Sequence, residues 1–291
     1  MRYIEQKIIP NYPAGAKKDG FQPILYGYLL DKSPELIHSG CRPAVIVCPG
    51  GSYMFTSDRE ADPVAMRFLA AGMQAFVLRY SVAPNQYPAS LLELAEAVAL
   101  VREHAGEWNI DPQRIMICGF SAGGHLCASL GTLWKDPVIR NSMEGRIAPK
   151  SFESEACARQ KEELWRPNGM ILSYPVISMT LFAHEESRQM LLGDQNCEKL
   201  AEKLSLQNRV TEDTVPTFLW TTQEDELVPV ENTLLFAAAL QRHHVPMELH
   251  LYEKGIHGLS LCDVSTENTA DQIVPDNAGW MEAAIRWLRR R

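Results

Sequence analysis

The sequence has little of what would place it in several large functional classes. It has no apolar run approaching the length that spans a bilayer. Its opening residues, Met1 to Pro10, lack the apolar core of a secretory leader. No long basic stretch is present and the formal net charge is −8, which argues against a nucleic-acid or anionic-membrane partner. Cysteines stand at 41, 48, 118, 127, 157, 197 and 262, but none form a Cys-x-x-Cys pair and none have a spacing that suits zinc. An odd count, with Cys48 and Cys118 inside apolar runs, reads as reduced thiols in a soluble cytoplasmic protein. Neither a metal nor another cofactor is expected. There is no internal repeat and no low-complexity tract. What remains is ordinary for a globular chain: 46% hydrophobic and 22% charged residues over 291 positions, enough to bury a core without disulfides or metals.

Apolar patterning gives the organisation. Residues 3–9 and 22–30 alternate apolar and polar positions and read as two antiparallel edge strands. Pro43–Cys48 is a short continuous apolar run, which suits a strand buried on both faces of a mostly parallel sheet. A helical spacing follows over 59–71, then a strand over 74–80, then a helix over 89–105 with Leu91, Leu94, Ala95, Val98 and Val101 on one face. Asn109–Pro112 reads as a turn into the strand Arg114–Cys118. Farther on come strands at 169–174, 217–222 and 247–252, a helix over about 230–243 and a closing helix over 278–289. This alternation predicts an α/β fold with a mostly parallel central sheet and helices on both faces. Two stretches break it. Residues 135–168 are polar and punctuated by prolines, and 178–212 reads as two short helices. Both are expected to be cap insertions in a single domain spanning 1–291.

One motif organises the chemistry. Gly119–Phe120–Ser121–Ala122–Gly123–Gly124 lies between the strand ending at Cys118 and a good helix former. Gly-x-Ser-x-Gly in that context is a nucleophile elbow, with the serine hydroxyl projecting from a strained turn. Side chains at 119 and 123 would collide with the neighbouring strand and helix. A serine needs a base within hydrogen-bond reach, and in this architecture an acid and then a histidine follow along the chain. The loop after strand 217–222 carries Glu224, Asp225 and Glu226, and the loop after 247–252 carries His257 between Gly255 and Gly258. Asp225 is favoured among the acids, because Leu227–Val228–Pro229 anchors the turn behind it and a short side chain holds an imidazole more rigidly. It would fix the tautomer of His257. The other histidines lie in helices, in a strand or in loops without glycine framing. An oxyanion would be met by the N–H of Ala122 and by the loop Pro49–Gly50–Gly51–Ser52–Tyr53, with Gly51 and Ser52 as donors.

Together with Leu78–Arg79–Tyr80, Trp108–Pro112 and Asp225–Asn232, these segments resemble the α/β-hydrolase superfamily, and within it the esterase/lipase branch that includes acetyl esterases and acetylxylan-esterase-like proteins. The resemblance runs over nearly the whole chain from about residue 20. Where that group often has His-Gly-Gly-Gly or Pro-Gly-Gly-Gly, this chain has Ser52 in the third glycine's place and Pro49 in the histidine's. A serine keeps its backbone N–H, while its side chain narrows the acyl side of the hole. The resemblance implies a serine carboxylic-ester hydrolase acting on short acyl groups, acetyl foremost, on a sugar or another small alcohol. The same groups would also serve an acyltransferase, an amidase or a peptidase. A non-catalytic binding protein on the same scaffold is the reading of a different class. The expected partner is a small-molecule ester, with no nucleic acid and no membrane; oligomeric state is not legible.

Overall fold

The computed structural model describes residues 1–37, 39–144 and 163–291. Eight strands form one sheet: β1 (Arg2–Lys7), β2 (Ile24–Leu29), β3 (Arg42–Cys48), β4 (Gln74–Arg79), β5 (Ile110–Phe120), β6 (Gly169–Ser173), β7 (Thr217–Thr222) and β8 (Met247–Tyr252), in the order β1-β2-β4-β3-β5-β6-β7-β8. The first two pair antiparallel with one another, and β2 pairs antiparallel with β4. From β4 through β8 every pairing is parallel. Among the described residues the α-helices are α1 (Asp62–Ala70), α2 (Ala89–Glu103), α3 (Ala122–Leu133), α4 (Pro137–Ser142), α5 (Glu185–Leu192), α6 (Glu198–Lys203), α7 (Glu231–Arg242), α8 (Pro275–Ala278) and α9 (Trp280–Arg289).

The continuous apolar runs are explained by two cores, one on each face of the sheet. Alternate residues of the parallel strands, such as Ile46, Ile117, Leu172 and Leu219, join Leu91, Leu94 and Val98 of α2, Leu126 and Leu130 of α3 and Phe236 of α7. Their neighbours, Val45, Val47, Met116, Cys118, Ile171 and Phe218, join Val64 and Phe68 of α1 and Trp280, Trp287 and Leu288 of α9. Because successive side chains of a strand point to opposite faces, a strand covered on both sides must be apolar throughout. Each large side chain buried this way contributes about 1.5–3 kcal/mol.

The structure moves two boundaries. The segment before α1 is a separate short turn, Asp58–Glu60, and the helix begins at Asp62 with Pro63 in its first turn. The strand before the elbow starts at Ile110, so all of the expected turn at Asn109–Pro112 except Asn109 lies within it. There Arg42 pairs with Ile110 and Ala44 with Ile115, a bulge that accommodates Pro112, which has no N–H to offer a ladder. Of the proposed 135–168 insertion, 145–162 lies outside the described residues, as do His38 and Cys157. Trp134 and Trp165 are buried, their ring N–H groups donating to the carbonyls of Asp213 and Trp134. The 178–212 excursion does hold two short helices, α5 and α6.

Sheet register places the chemistry. Cys48 at the end of β3 pairs with Gly119, Phe120 at the end of β5 pairs with Ser173, and Thr222 of β7 pairs with Tyr252 of β8. The carboxyl ends of these strands are thus level, and the loops that follow them meet on one edge of the sheet, where open α/β sheets bind ligands.

Candidate active site

Ser121 stands between β5 and α3 with φ 51 and ψ −117, a conformation that L residues rarely adopt. The glycines around it are required by contact. A Cβ at Gly119 would strike the carbonyl oxygen of Gly123, and one at Gly123 would strike those of Cys48 and Pro49. The turn is pinned by Ser121 N–H, which donates to Ser173 O at 3.0 Å, and by Ser121 O, which accepts from Val176 N–H at 3.1 Å.

His257 Nε2 lies 2.8 Å from Ser121 Oγ, and His257 Nδ1 lies 2.7 Å from Asp225 Oδ2. Asp225 has no exposed side-chain surface. Its other oxygen accepts N–H groups from Leu227 at 3.1 Å and Val228 at 2.9 Å. A carboxylate already committed as an acceptor at Oδ1 faces the imidazole with an acceptor at Oδ2. The Nδ1 position therefore carries the proton, and Nε2 presents a lone pair to the serine hydroxyl. Gly255 and Gly258 bend the loop at φ 128 and 77, a backbone region that favours glycine. Both adjacent acids are exposed; Glu224 accepts from Gly255 N–H at 3.1 Å and ties the two loops together.

The loop after β3 is a left-handed turn, with φ 127, 55 and 60 at Gly51, Ser52 and Tyr53 and Met54 N–H returning to Gly51 O at 2.8 Å. Gly50 N–H is committed to Glu60 Oε2 at 2.8 Å. Among the described residues no acceptor is bonded to the N–H groups of Gly51, Ser52 or Ala122.

Two residues outside the expected set hold this loop. Tyr53 is buried and its hydroxyl lies 2.9 Å from His125 Nδ1, while His125 Nε2 lies 2.9 Å from the carbonyl of Leu204. A carbonyl only accepts, so Nε2 carries the ring proton and Tyr53 donates to Nδ1. Burial lowers the His125 pKa to about 4 and keeps the ring neutral. His125 is thus a structural strut, and the signal that could have linked it to the site is its place one turn into the helix that follows the elbow. Glu60 is the second such residue. His184 caps α5, with Nδ1 2.8 Å from Ser187 Oγ, and burial together with the nearby His257 lowers its pKa.

A cavity of about 670 Å³ opens beside His257, lined by Gln223, Glu224, Glu226, Leu227 and Ile256. It carries carboxylates and apolar side chains but no cation. Among the described residues no group of three or more His, Cys, Asp or Glu is arranged to hold a metal ion, and no helix is long and apolar enough to cross a membrane.

Comparison with known proteins places this geometry in context. The BD-FAE family model matches residues 34–240. Endo-1,4-beta-xylanase B of Butyrivibrio fibrisolvens is 35% identical over 250 residues, covering 84% of this chain and 36% of that protein. The acetylxylan esterase of Xylanibacter ruminicola is 28% identical over 246 residues, covering 82% of this chain and 45% of that one. The chain therefore spans less than half the length of these curated relatives. The solved structure of an acetyl ester-xyloside bifunctional hydrolase from Caldicellulosiruptor lactoaceticus superposes with a TM-score of 0.75 at 38% identity, covering 94% of this chain and 89% of that one.

Proposed function

The chain belongs to the BD-FAE family, in the esterase/lipase branch of the α/β-hydrolase superfamily, and from that footing we propose that it hydrolyses carboxylic esters of short acyl groups through an acyl-enzyme on Ser121. The observation that carries the reading is the unbroken row Ser121 Oγ, His257 Nε2, His257 Nδ1, Asp225 Oδ2, with separations of 2.8 and 2.7 Å. Ser121 attacks the ester carbonyl as His257 takes its proton. Asp225 holds the imidazole in the required tautomer and stabilises the imidazolium. The N–H groups of Gly51, Ser52 and Ala122 receive the oxyanion in a site whose dipoles are already oriented. The imidazolium then returns a proton to the leaving alcohol, and water repeats the cycle on the acyl-enzyme.

Because His257 must protonate the leaving oxygen, the alcohol lies on the His257 side, toward the cavity lined by Glu224, Glu226, Leu227 and Ile256. That lining suits an uncharged polyhydroxy alcohol, whose hydroxyls donate to carboxylates, and disfavours an anionic one. The names of the xylan-acting relatives support an acetylated sugar as substrate. The Ser52 side chain supports acetyl over longer chains. The single eight-stranded sheet supports one hydrolase domain with an excursion at 178–212, and the exposed free thiols of Cys41 and Cys197 support a reducing compartment.

A panel of p-nitrophenyl acyl esters, acetylated xylo-oligosaccharides and matched amides tests this reading, together with labelling by a fluorophosphonate. Turnover of acetyl esters above longer esters and amides, with the adduct on Ser121, is expected. Amide turnover equal to ester turnover, or no adduct on Ser121, would overturn it.

A further inference from the structure

Glu60 is a buried carboxylate that the proposed proton chemistry does not use. An ionisable group taken out of water is costly unless both oxygens are satisfied, and here they are. Oε2 accepts Gly50 N–H at 2.8 Å, and Oε1 accepts the Tyr174 hydroxyl at 2.6 Å. The same Tyr174 oxygen accepts Ser260 N–H at 2.9 Å. The chain of bonds thus runs from the loop that carries the oxyanion donors, through Glu60 and Tyr174, into the loop that carries His257.

Neighbouring contacts reinforce it. The Tyr174 ring meets the His257 ring edge-on, with centroids 5.0 Å apart and planes at 69°. Tyr174 N–H donates to Trp220 O at 2.7 Å. Arg59, beside Glu60, donates to Gly258 O at 2.8 Å and Thr266 O at 2.6 Å, while its own carbonyl accepts the Ser260 hydroxyl at 2.8 Å. Tyr174 and Ser260 are held at φ 35 and 52. Non-glycine residues in that region are strained and persist only where the surroundings over-determine them.

We propose that Glu60 and Tyr174 form a positioning bridge that sets the distance between the oxyanion donors and His257; the inference rests on the esterase reading of Ser121. Fixing Gly50 N–H orients the peptide plane that precedes the one carrying Gly51 N–H. Fixing Ser260 N–H and the ring face holds His257 against Ser121. Both halves must be in place in the same transition state, and a misplacement of about 1 Å costs on the order of 10²-fold in rate.

Tyr174→Phe removes both hydroxyl bonds and keeps the ring. Glu60→Gln keeps the reach and loses the charge, whereas Glu60→Asp keeps the charge and is one methylene shorter. Each variant is titrated with a fluorophosphonate, so that rates refer to competent Ser121, then assayed on p-nitrophenyl acetate. Inhibition by a trifluoromethyl ketone, which forms a tetrahedral adduct on the serine, is measured alongside. Tyr174→Phe is expected to lower kcat per titrated site by about 10–100-fold with KM within about three-fold, and to raise the ketone KI by the same factor as the loss in kcat/KM. Glu60→Gln is expected to retain more activity than Glu60→Asp, because its oxygen still accepts Gly50 N–H while its NH₂ donates to the Tyr174 oxygen in place of the lost acceptor, whereas Asp is too short to reach both. Variants that lose titratable sites while the surviving sites keep the parental kcat and KI would reduce the bridge to a folding contact and overturn the proposal. So would Glu60→Asp equal to or better than Glu60→Gln. A parent without an adduct on Ser121 sinks the esterase reading and the bridge together, whereas an active parent with unaffected variants sinks the bridge alone.

Discussion

Replacing Asp225 with Asn separates orientation of the histidine from packing around the acid. Asp225 Oδ1 accepts from Leu227 and Val228 N–H groups, and Oδ2 faces His257 Nδ1. An asparagine has one acceptor oxygen, and two backbone donors compete for it against one ring nitrogen. The oxygen therefore turns to Leu227 and Val228, and the amide NH₂ turns to His257. The imidazole must then offer a lone pair at Nδ1 and carry its proton at Nε2, where it faces Ser121 and cannot take the hydroxyl proton. The expected loss in kcat is about 10⁴-fold, or about 5 kcal/mol of transition-state stabilisation. Every buried polar group keeps a partner, so stability changes by less than about 1 kcal/mol. Asp225→Ala is expected to lose activity to a similar degree while orphaning two N–H groups, at about 1–3 kcal/mol each. The assay is p-nitrophenyl acetate turnover per titrated serine, read beside thermal unfolding, where each kcal/mol moves Tm by about 2–4 °C in a chain of this size. The reverse pattern for Asp225→Asn, with activity kept within about ten-fold and Tm lowered, would mean that the amide oxygen faces His257. The tautomer argument would then be wrong.

Further outcomes are expected. Ser121→Ala and His257→Ala should each lower kcat by about 10⁴–10⁶-fold and the double variant little further, because the groups act as a unit; additive losses would contradict this. His125 should make the fold acid-sensitive. The unfolded chain binds its proton below about pH 6.5, the folded one only below about pH 4, so stability is full above the first value and is lost as pH falls toward the second. The loss is about 3 kcal/mol, and urea unfolding of His125→Gln should show a correspondingly flatter profile between about pH 7 and about pH 4.5. Ser52→Gly should raise the rate on butyryl relative to acetyl esters by about ten-fold or more. Because Ser52 sits at φ 55, the same change should cost no more than about 1 kcal/mol in stability; an unchanged acyl preference would remove Ser52 from the acyl pocket.

Much of the fold was legible because it rests on local periodicity. Doubly buried strands must be apolar at every position, and Val45–Ile46–Val47 and Ile115–Met116–Ile117 could satisfy both cores in no other way. The bulge at Asp111–Pro112 reads locally as a turn, since the pairing of Arg42 with Ile110 depends on a partner strand about seventy residues away and leaves no local pattern. The histidine and acid loops could be found because they follow recognisable strands and carry glycines or an acid where the chain must bend.

The sequence by itself determined the alternation of strands and helices, the glycine-framed turn at Ser121, and the loops that supply Asp225 and His257. Each of these is written in neighbouring residues, through periodicity or through a backbone angle that only certain residues tolerate. Only the tertiary structure decided which of three adjacent acids faces the imidazole, that Gly50 N–H is occupied while those of Gly51 and Ser52 are not, and that Glu60 bonds to Gly50 and Tyr174 while His125 bonds to Tyr53. Those assignments depend on hydrogen bonds between segments far apart in the chain. Glu60 and Tyr174 are 114 positions apart, and no local pattern records that they touch.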